Sequence, residues 1–254
     1  MTALLILPGL DGTATLHTAF IEAAAAWFDS VEVVAYPPDR PLDYAELEAI
    51  SRAALPDKPF VLLGESFSGP VALSIAADPP ANLRGLVLST TFATAPVPFL
   101  RTFAPLLHAV PFPLPPSMLL SWWLYGRWAT PALETALRDA LRQVSPRVLR
   151  FRAAIALRVD VLARCAAIAV PVLDLRASDD KLLQRDPGKR MSAAIPRCRT
   201  VEVAGPHLLL QAEPEACARI VGEFAAGIDV GRDMLGLPPQ PQEPPWLPPS
   251  RTSP

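Results

Sequence analysis

Apolar positions along this chain fall into two kinds of block that alternate. One kind is a short continuous run closed by glycine or proline: Ala3-Leu4-Leu5-Ile6-Leu7 before Pro8-Gly9, Phe60-Val61-Leu62-Leu63 before Gly64, and Gly85-Leu86-Val87-Leu88-Ser89. Runs of this length without polar alternation read as strands buried on both faces. The other kind recurs with a helical period, as in Leu16, Ala19, Phe20, Ala23, Ala24 and Trp27. The pattern predicts strands over 3–7, 31–36, 60–64, 85–89, 171–176 and 199–203. It predicts helices over 14–28, 43–55, 68–77, 187–195 and 213–226. Asp43, with Glu46 three places on, marks a helix start of the capping-box type. Strands alternating with helices imply an α/β fold, with a mostly parallel sheet of about six strands flanked by helices.

Residues 95–165 break the alternation. Prolines at 96, 98, 105, 111, 113, 115 and 116 deny the segment long regular elements at first. Met118-Leu119-Leu120-Ser121-Trp122-Trp123-Leu124 follows, and then helical patterns over about 131–143 and 146–163. From Gly236 the chain is so rich in proline that it favours polyproline II and is expected to be a disordered extension. The implied organisation is a core of 1–94 and 166–228, a helical insertion over 95–165, and a proline-rich tail over 229–254.

The candidate chemistry sits between the third predicted strand and the helix after it, in Gly64-Glu65-Ser66-Phe67-Ser68-Gly69. A buried strand, a tight turn carrying a serine and then a helix is the setting that turns G-x-S-x-G into a nucleophile elbow. Ser68 stands in place of the second glycine, with Gly69 one place later. A serine hydroxyl needs a base, and the base needs an orienting acid. The chain has three histidines. His207 follows a strand (Thr200-Val201-Glu202-Val203) and a Gly205-Pro206 turn, which suits it to reach a serine at the same sheet edge. The acid is expected between them, after the strand Pro171–Arg176, where either Asp179 or Asp180 can serve.

With these residues assembled, positions 1 to about 228 resemble the α/β-hydrolase superfamily, and in particular small capped serine esterases similar to carboxylesterases and acyl-carrier-protein methyl ester esterases. The order serine, acid, histidine is that of the superfamily. Ala177-Ser178-Asp179-Asp180-Lys181-Leu182-Leu183 is similar to its acid loop, a resemblance that puts the acid on Asp180, with Asp179 as the alternative. Gly205-Pro206-His207 and the apolar residues after it resemble its histidine loop. Pro8-Gly9-Leu10-Asp11-Gly12-Thr13 occupies the place of its oxyanion loop, with Pro8 where histidine is frequent. By register the oxyanion donors are then the backbone amides of Leu10 and Phe67. Because this loop follows the first strand, the resemblance implies a sheet without the superfamily's usual first two strands. The resemblance implies that residues 95–165 cap the active site. It also implies that an ester or thioester is cleaved through an acyl-enzyme without metal or organic cofactor. An alcohol in place of water would make the protein an acyltransferase, and a non-catalytic binding protein of the same fold is the rival of a different class.

Composition changes this picture little. About half the residues, 51%, are apolar and the formal net charge is −2, so no global charge favours nucleic acid. No apolar run approaches the ~20 residues of a membrane span, and the N-terminal stretch does not read as a signal peptide. Three widely spaced cysteines suit neither a disulfide framework nor a metal site, which points to a cytoplasmic protein. In the insertion, Met118, Trp122 and Trp123 are candidates for an acyl pocket, or else they fasten the insertion to the core. Residues 95–165 also hold nine arginines against three acids. That surface either attracts an anionic acyl carrier or is an ordinary solvated face. His17 is expected at the surface or at a helix cap, with a place facing the pocket as the alternative, Asp11 either lines the pocket or forms a turn, Asp160 is expected in an ion pair, and His108 has no visible partner. The Ser68 hydroxyl is expected to point along its helix.

Overall fold

The six predicted strands join into one sheet, parallel throughout. They are β1 (Ala3–Leu7), β2 (Val31–Val33), β3 (Phe60–Glu65), β4 (Leu83–Ser89), β5 (Val172–Ala177) and β6 (Cys198–Val203), in the order β2-β1-β3-β4-β5-β6. This is a computed structural model, and it describes residues 2–97, 117–183 and 185–229. His108 and the proline-rich tail lie outside the described residues, as does the Met118 side chain.

Both faces of the sheet are buried, as the unbroken apolar runs require. Leu5, Leu7, Leu62, Leu86 and Leu88 turn to one side, against Leu47 of α2 (Tyr44–Ala53), Val71 and Ile75 of α3 (Gly69–Ala77) and Met191 of α7 (Arg185–Ala194). Leu4, Ile6, Val61, Leu63, Val87 and Leu173 turn to the other, against Phe20 of α1 (Thr18–Ala24) and Val221 and Phe224 of α9 (Pro214–Asp229). Strand order reverses between β1 and β3. The chain leaves the C-terminal end of β1 toward one edge of the sheet and that of β3 toward the other, and such a switch point opens a crevice. The 8–13 loop and the serine turn both lie there.

Several elements are shorter than the pattern predicts. The helix expected over 14–28 is a 3-10 turn (Thr15–His17) followed by α1, and the strand expected over 31–36 pairs as a strand only to Val33. Val34 and Tyr36 still donate backbone bonds to Ile6 and Gly12, at 2.9 and 2.8 Å. The helix predicted over 213–226 is present as α9 and runs on to Asp229, with a short α8 (Leu209–Ala212) before it. The Asp43 capping box is present with both of its bonds. Between β4 and β5 lie α4 (Ser117–Leu124), α5 (Pro131–Arg142) and α6 (Pro146–Ala156). The helix expected to reach residue 163 ends at Ala156, after which Asp160 bridges to Thr94. Among the described residues the Asp160 carboxylate makes no ion pair, and it accepts from the Leu162 amide at 3.2 Å, closing a local turn.

The approach of α3 to the sheet depends on missing side chains. A Cβ on Gly64 would lie 2.6 Å from the Ala72 Cβ, and one on Gly69 would overlap the buried Thr91 side chain. Gly69→Ala is therefore expected to lose about 1–3 kcal/mol of stability through overpacking. Gly188→Ala, whose new Cβ would meet only ordinary contacts beyond 3.6 Å, is expected to be neutral or stabilising, since alanine is the better helix former. Urea unfolding of the two variants beside wild type checks this, and equal midpoints would contradict it.

Candidate active site

β3 delivers Ser66 to the top of the sheet, and the backbone turns sharply there. Ser66 has φ 45°, a left-handed conformation rare for a residue with a side chain. Ser66–Ser68 form a 3-10 turn that feeds α3, with Pro70 in the first helical turn. The Thr91 hydroxyl donates to the Ser66 carbonyl. The Tyr44 hydroxyl donates to the Phe67 carbonyl at 3.2 Å, and its ring stacks on that of Phe67 with centroids 5.1 Å apart. The Ser68 hydroxyl does not run along its helix as expected. It crosses to the Pro8 carbonyl and meets the Tyr36 hydroxyl at 2.9 Å, tying the turn to the loop after β1.

Three side chains separated widely in sequence come into line. Ser66 Oγ lies 2.8 Å from His207 Nε2, and His207 Nδ1 lies 2.8 Å from Asp180 Oδ2. The other Asp180 oxygen accepts from the Leu182 and Leu183 amides, both at 2.8 Å, which fixes the carboxylate. The acid and histidine loops are joined by backbone bonds from Ser178 to Val203 and from Asp179 to Gly205, each 2.9 Å. Ser66 is 8% exposed and His207 1%.

The neighbouring aspartate points elsewhere. Asp179 accepts from Trp128 Nε1 at 3.1 Å and from Arg127 Nη2 at 2.7 Å. The Trp128 and Arg127 hydrogen bonds, with the Arg127 charge, hold its carboxyl below the usual range. Lys181 sits over the Trp122 ring, 4.2 Å from its centroid. The acid loop thus faces His207 through Asp180 and the insertion through Asp179 and Lys181.

The loop after β1 is a tight turn in which Gly12 donates to Gly9 at 3.0 Å and has φ +68°. Asp11 forms the turn: its carboxylate accepts from the Thr13 amide at 2.8 Å and from the Thr13 hydroxyl at 2.5 Å. Burial pushes the Asp11 carboxyl up, against those bonds. Neither the Leu10 amide nor the Phe67 amide donates a hydrogen bond among the described residues.

His17 stands at the N-cap position of α1, as one expectation had it, but its side chain makes no capping bond and it is not at the surface. His17 closes the 3-10 turn before α1, and there it is fully buried, with Nε2 2.9 Å from Glu65 Oε2. Gln211 Nε2 donates to the other Glu65 oxygen at 3.0 Å. A glutamate ending an otherwise apolar strand demands such partners, and that demand was the available signal in the sequence.

The remaining candidates are dispersed. Trp122 is 54% exposed and Trp123 38%, on α4 beside exposed Leu119. The arginines do not form one face. Arg138, Arg147 and Arg158 are exposed, whereas Arg127, Arg142 and Arg164 pair with Asp179, Asp139 and Glu48, and Arg152 is buried. A cavity of about 250 Å³, lined by Thr90, Asp174, Arg176, Asp180, Leu183 and Glu202 among others, does not include Ser66 or His207 in its lining. Among the described residues no group of three or more His, Cys, Asp or Glu converges as a metal site, and no helix is long and apolar enough to cross a membrane.

This sheet, with a serine turn at its switch point, defines an α/β hydrolase. A profile of the family described as serine aminopeptidase, S33, matches residues 42–209, and the chain belongs to that family. The fold is similar to an enol-lactonase from Burkholderia xenovorans LB400, with 16% identity, 89% of this chain and 91% of that chain covered, and a TM-score of 0.72. It is also similar to a thermophilic esterase from Thermogutta terrifontis, with 19% identity, 90% of each chain covered and a TM-score of 0.73. A third likeness is to MenH from S. aureus, with 18% identity, 90% and 94% covered and a TM-score of 0.70. At these identities the likeness is one of fold. No curated protein matches the chain.

The buried His17–Glu65 pair has a pH signature. For His17, burial alone would favour the neutral ring, but the charge and hydrogen bond of Glu65 outweigh it and raise the pKa above 6.5. For Glu65, burial is opposed and outweighed by His17 and Gln211, and the pKa falls below 4.5. A raised histidine gives stability that is full below pH 6.5 and lost as pH rises through the folded value. A lowered glutamate gives stability that is full above pH 4.5 and lost as pH falls through its folded value. The stability of wild type relative to the double variant His17→Gln/Glu65→Gln should therefore be bell-shaped, with a plateau between pH 4.5 and 6.5. Denaturant unfolding across pH measures this; a flat difference would show that neither pKa changes on folding, and a trough in place of the plateau that the pair is buried neutral.

Proposed function

We propose that the protein is a serine hydrolase that cleaves a carboxylic ester or thioester through an acyl-enzyme on Ser66. The observation that carries this reading is the unbroken line Ser66–His207–Asp180, with both links at 2.8 Å. His207 Nε2 takes the hydroxyl proton as Ser66 Oγ attacks the carbonyl carbon. The ionised Asp180 accepts from His207 Nδ1, fixes the tautomer and stabilises the imidazolium. The negative charge on the carbonyl oxygen is received by the free amides of Leu10 and Phe67. Collapse of the tetrahedral adduct returns the proton from His207 to the leaving alcohol or thiol. Water, deprotonated by the same imidazole, then releases the acid and frees Ser66.

In this reading the helices between β4 and β5 cap the site. Support comes from the Leu208 amide, next to His207, which donates to the Leu124 carbonyl of α4 at 3.2 Å, and from the Asp179 contacts. Trp122 and Trp123 then supply apolar surface for the acyl group, and exposed Arg138 and Arg147 suit an anionic carrier.

The test is hydrolysis of p-nitrophenyl esters of graded chain length, with a p-nitroanilide series alongside because the family description names an aminopeptidase. Ser66→Ala should abolish release. Asp180→Asn should lower kcat by up to about 10⁴-fold, whereas Asp179→Asn should change kcat/KM by less than about tenfold, the scale of an exposed ion pair. Release that survives in Ser66→Ala, or an Asp179→Asn loss equal to that of Asp180→Asn, would sink the assignment.

A further inference from the structure

Arg152 heads the largest wholly buried side chains described, at 1% exposure. It comes from α6, in the segment between β4 and β5, yet it makes no ion pair among the described residues. Its guanidinium serves three backbone carbonyls in the core instead. Nη1 donates to Leu10 at 3.0 Å and to Asp11 at 2.6 Å, and Nη2 donates to Pro37 at 3.1 Å. The group lies over the Tyr36 ring, 5.7 Å from its centroid. Tyr36 in turn meets Ser68, whose hydroxyl holds the Pro8 carbonyl. One bonded circuit therefore runs from α6 through the 8–12 loop to the serine turn. Gly12 makes room for it: any Cβ there would collide with Nη1, and φ +68° disfavours a side chain in any case.

A buried cation is costly unless it is well paired, and packing alone would be served by an apolar side chain. The fork geometry of a guanidinium is suited to fixing several acceptors at once. Here the acceptors include the two carbonyls that immediately follow the Leu10 amide. The Asp11 carbonyl shares its peptide plane with the Gly12 amide, which donates to the Gly9 carbonyl at 3.0 Å, and that carbonyl shares its plane with the Leu10 amide, so fixing the one peptide orients the other. The nearby charge also makes the loop more electropositive. We infer that Arg152 is a positioning residue, which holds the 8–12 loop so that the Leu10 amide can receive the oxyanion. This inference rests on the function proposed above.

The experiment compares wild type, Ser66→Ala, Arg152→Met, Arg152→Gln and Arg152→Lys, with thermal melts to establish folding. Folded Arg152→Met should lower kcat on the order of 10²-fold, the scale of one lost oxyanion donor, with KM within about threefold. Affinity for an aryl boronic acid, whose tetrahedral adduct occupies the same pocket, should fall in parallel, and Arg152→Lys should recover part of both. If the methionine variant unfolds, the lysine and glutamine variants carry the same comparison. An unchanged kcat in a folded variant, a loss confined to KM, or unfolding of all three would overturn the proposal while leaving Ser66 standing. If wild type shows neither Ser66-dependent turnover nor Ser66 labelling by a fluorophosphonate, the functional reading fails, and this inference fails with it.

Discussion

Nothing in a serine favours φ 45°, and the site depends on that backbone being held there. Such a conformation costs on the order of 1–3 kcal/mol and persists only where the surroundings over-determine it. Here they do so from several directions. Thr91 holds the Ser66 carbonyl, Tyr44 holds that of Phe67, and Ser68 is bonded to the loop after β1. Gly64 and Gly69 allow α3 to press close beneath the turn. The strain lifts the hydroxyl out of the strand and into line with His207.

The ground under the turn is polar, which is unusual so deep in a parallel sheet. Glu65 ends β3 fully buried and is answered by His17 and Gln211, from opposite ends of the chain. Arg152 enters from the insertion and is answered by carbonyls. These groups are costly to bury and hold a stated geometry once satisfied. They stand beside the two loops that carry the free amides, so rigidity is concentrated where a developing charge would need preorganised donors.

Two adjacent aspartates show how finely the loops are divided. Asp180 serves His207, while Asp179, one residue earlier, serves Arg127 and Trp128 of the insertion. The same short loop therefore connects the histidine to the helices between β4 and β5, and a shift of those helices would be felt at the acid.

Much of the fold was legible in the sequence because burial on both faces of a parallel sheet writes itself as unbroken apolar runs. All six strands, the Asp43 cap and the serine turn follow from local pattern. Element ends were less legible, as at 14–28 and 31–36, because turn geometry and packing decide where a helix or ladder stops. By itself the sequence determined an α/β sheet with a serine at a strand–helix turn and a histidine and two aspartates at later strand ends. The likeness of the acid loop pointed to Asp180, but that its carboxylate meets the histidine, that His17 is buried against Glu65, and that Arg152 turns inward while other arginines of its segment face solvent were decided only by tertiary structure. Each of these is a contact between residues far apart in the chain, and no local periodicity encodes the direction of a single polar side chain.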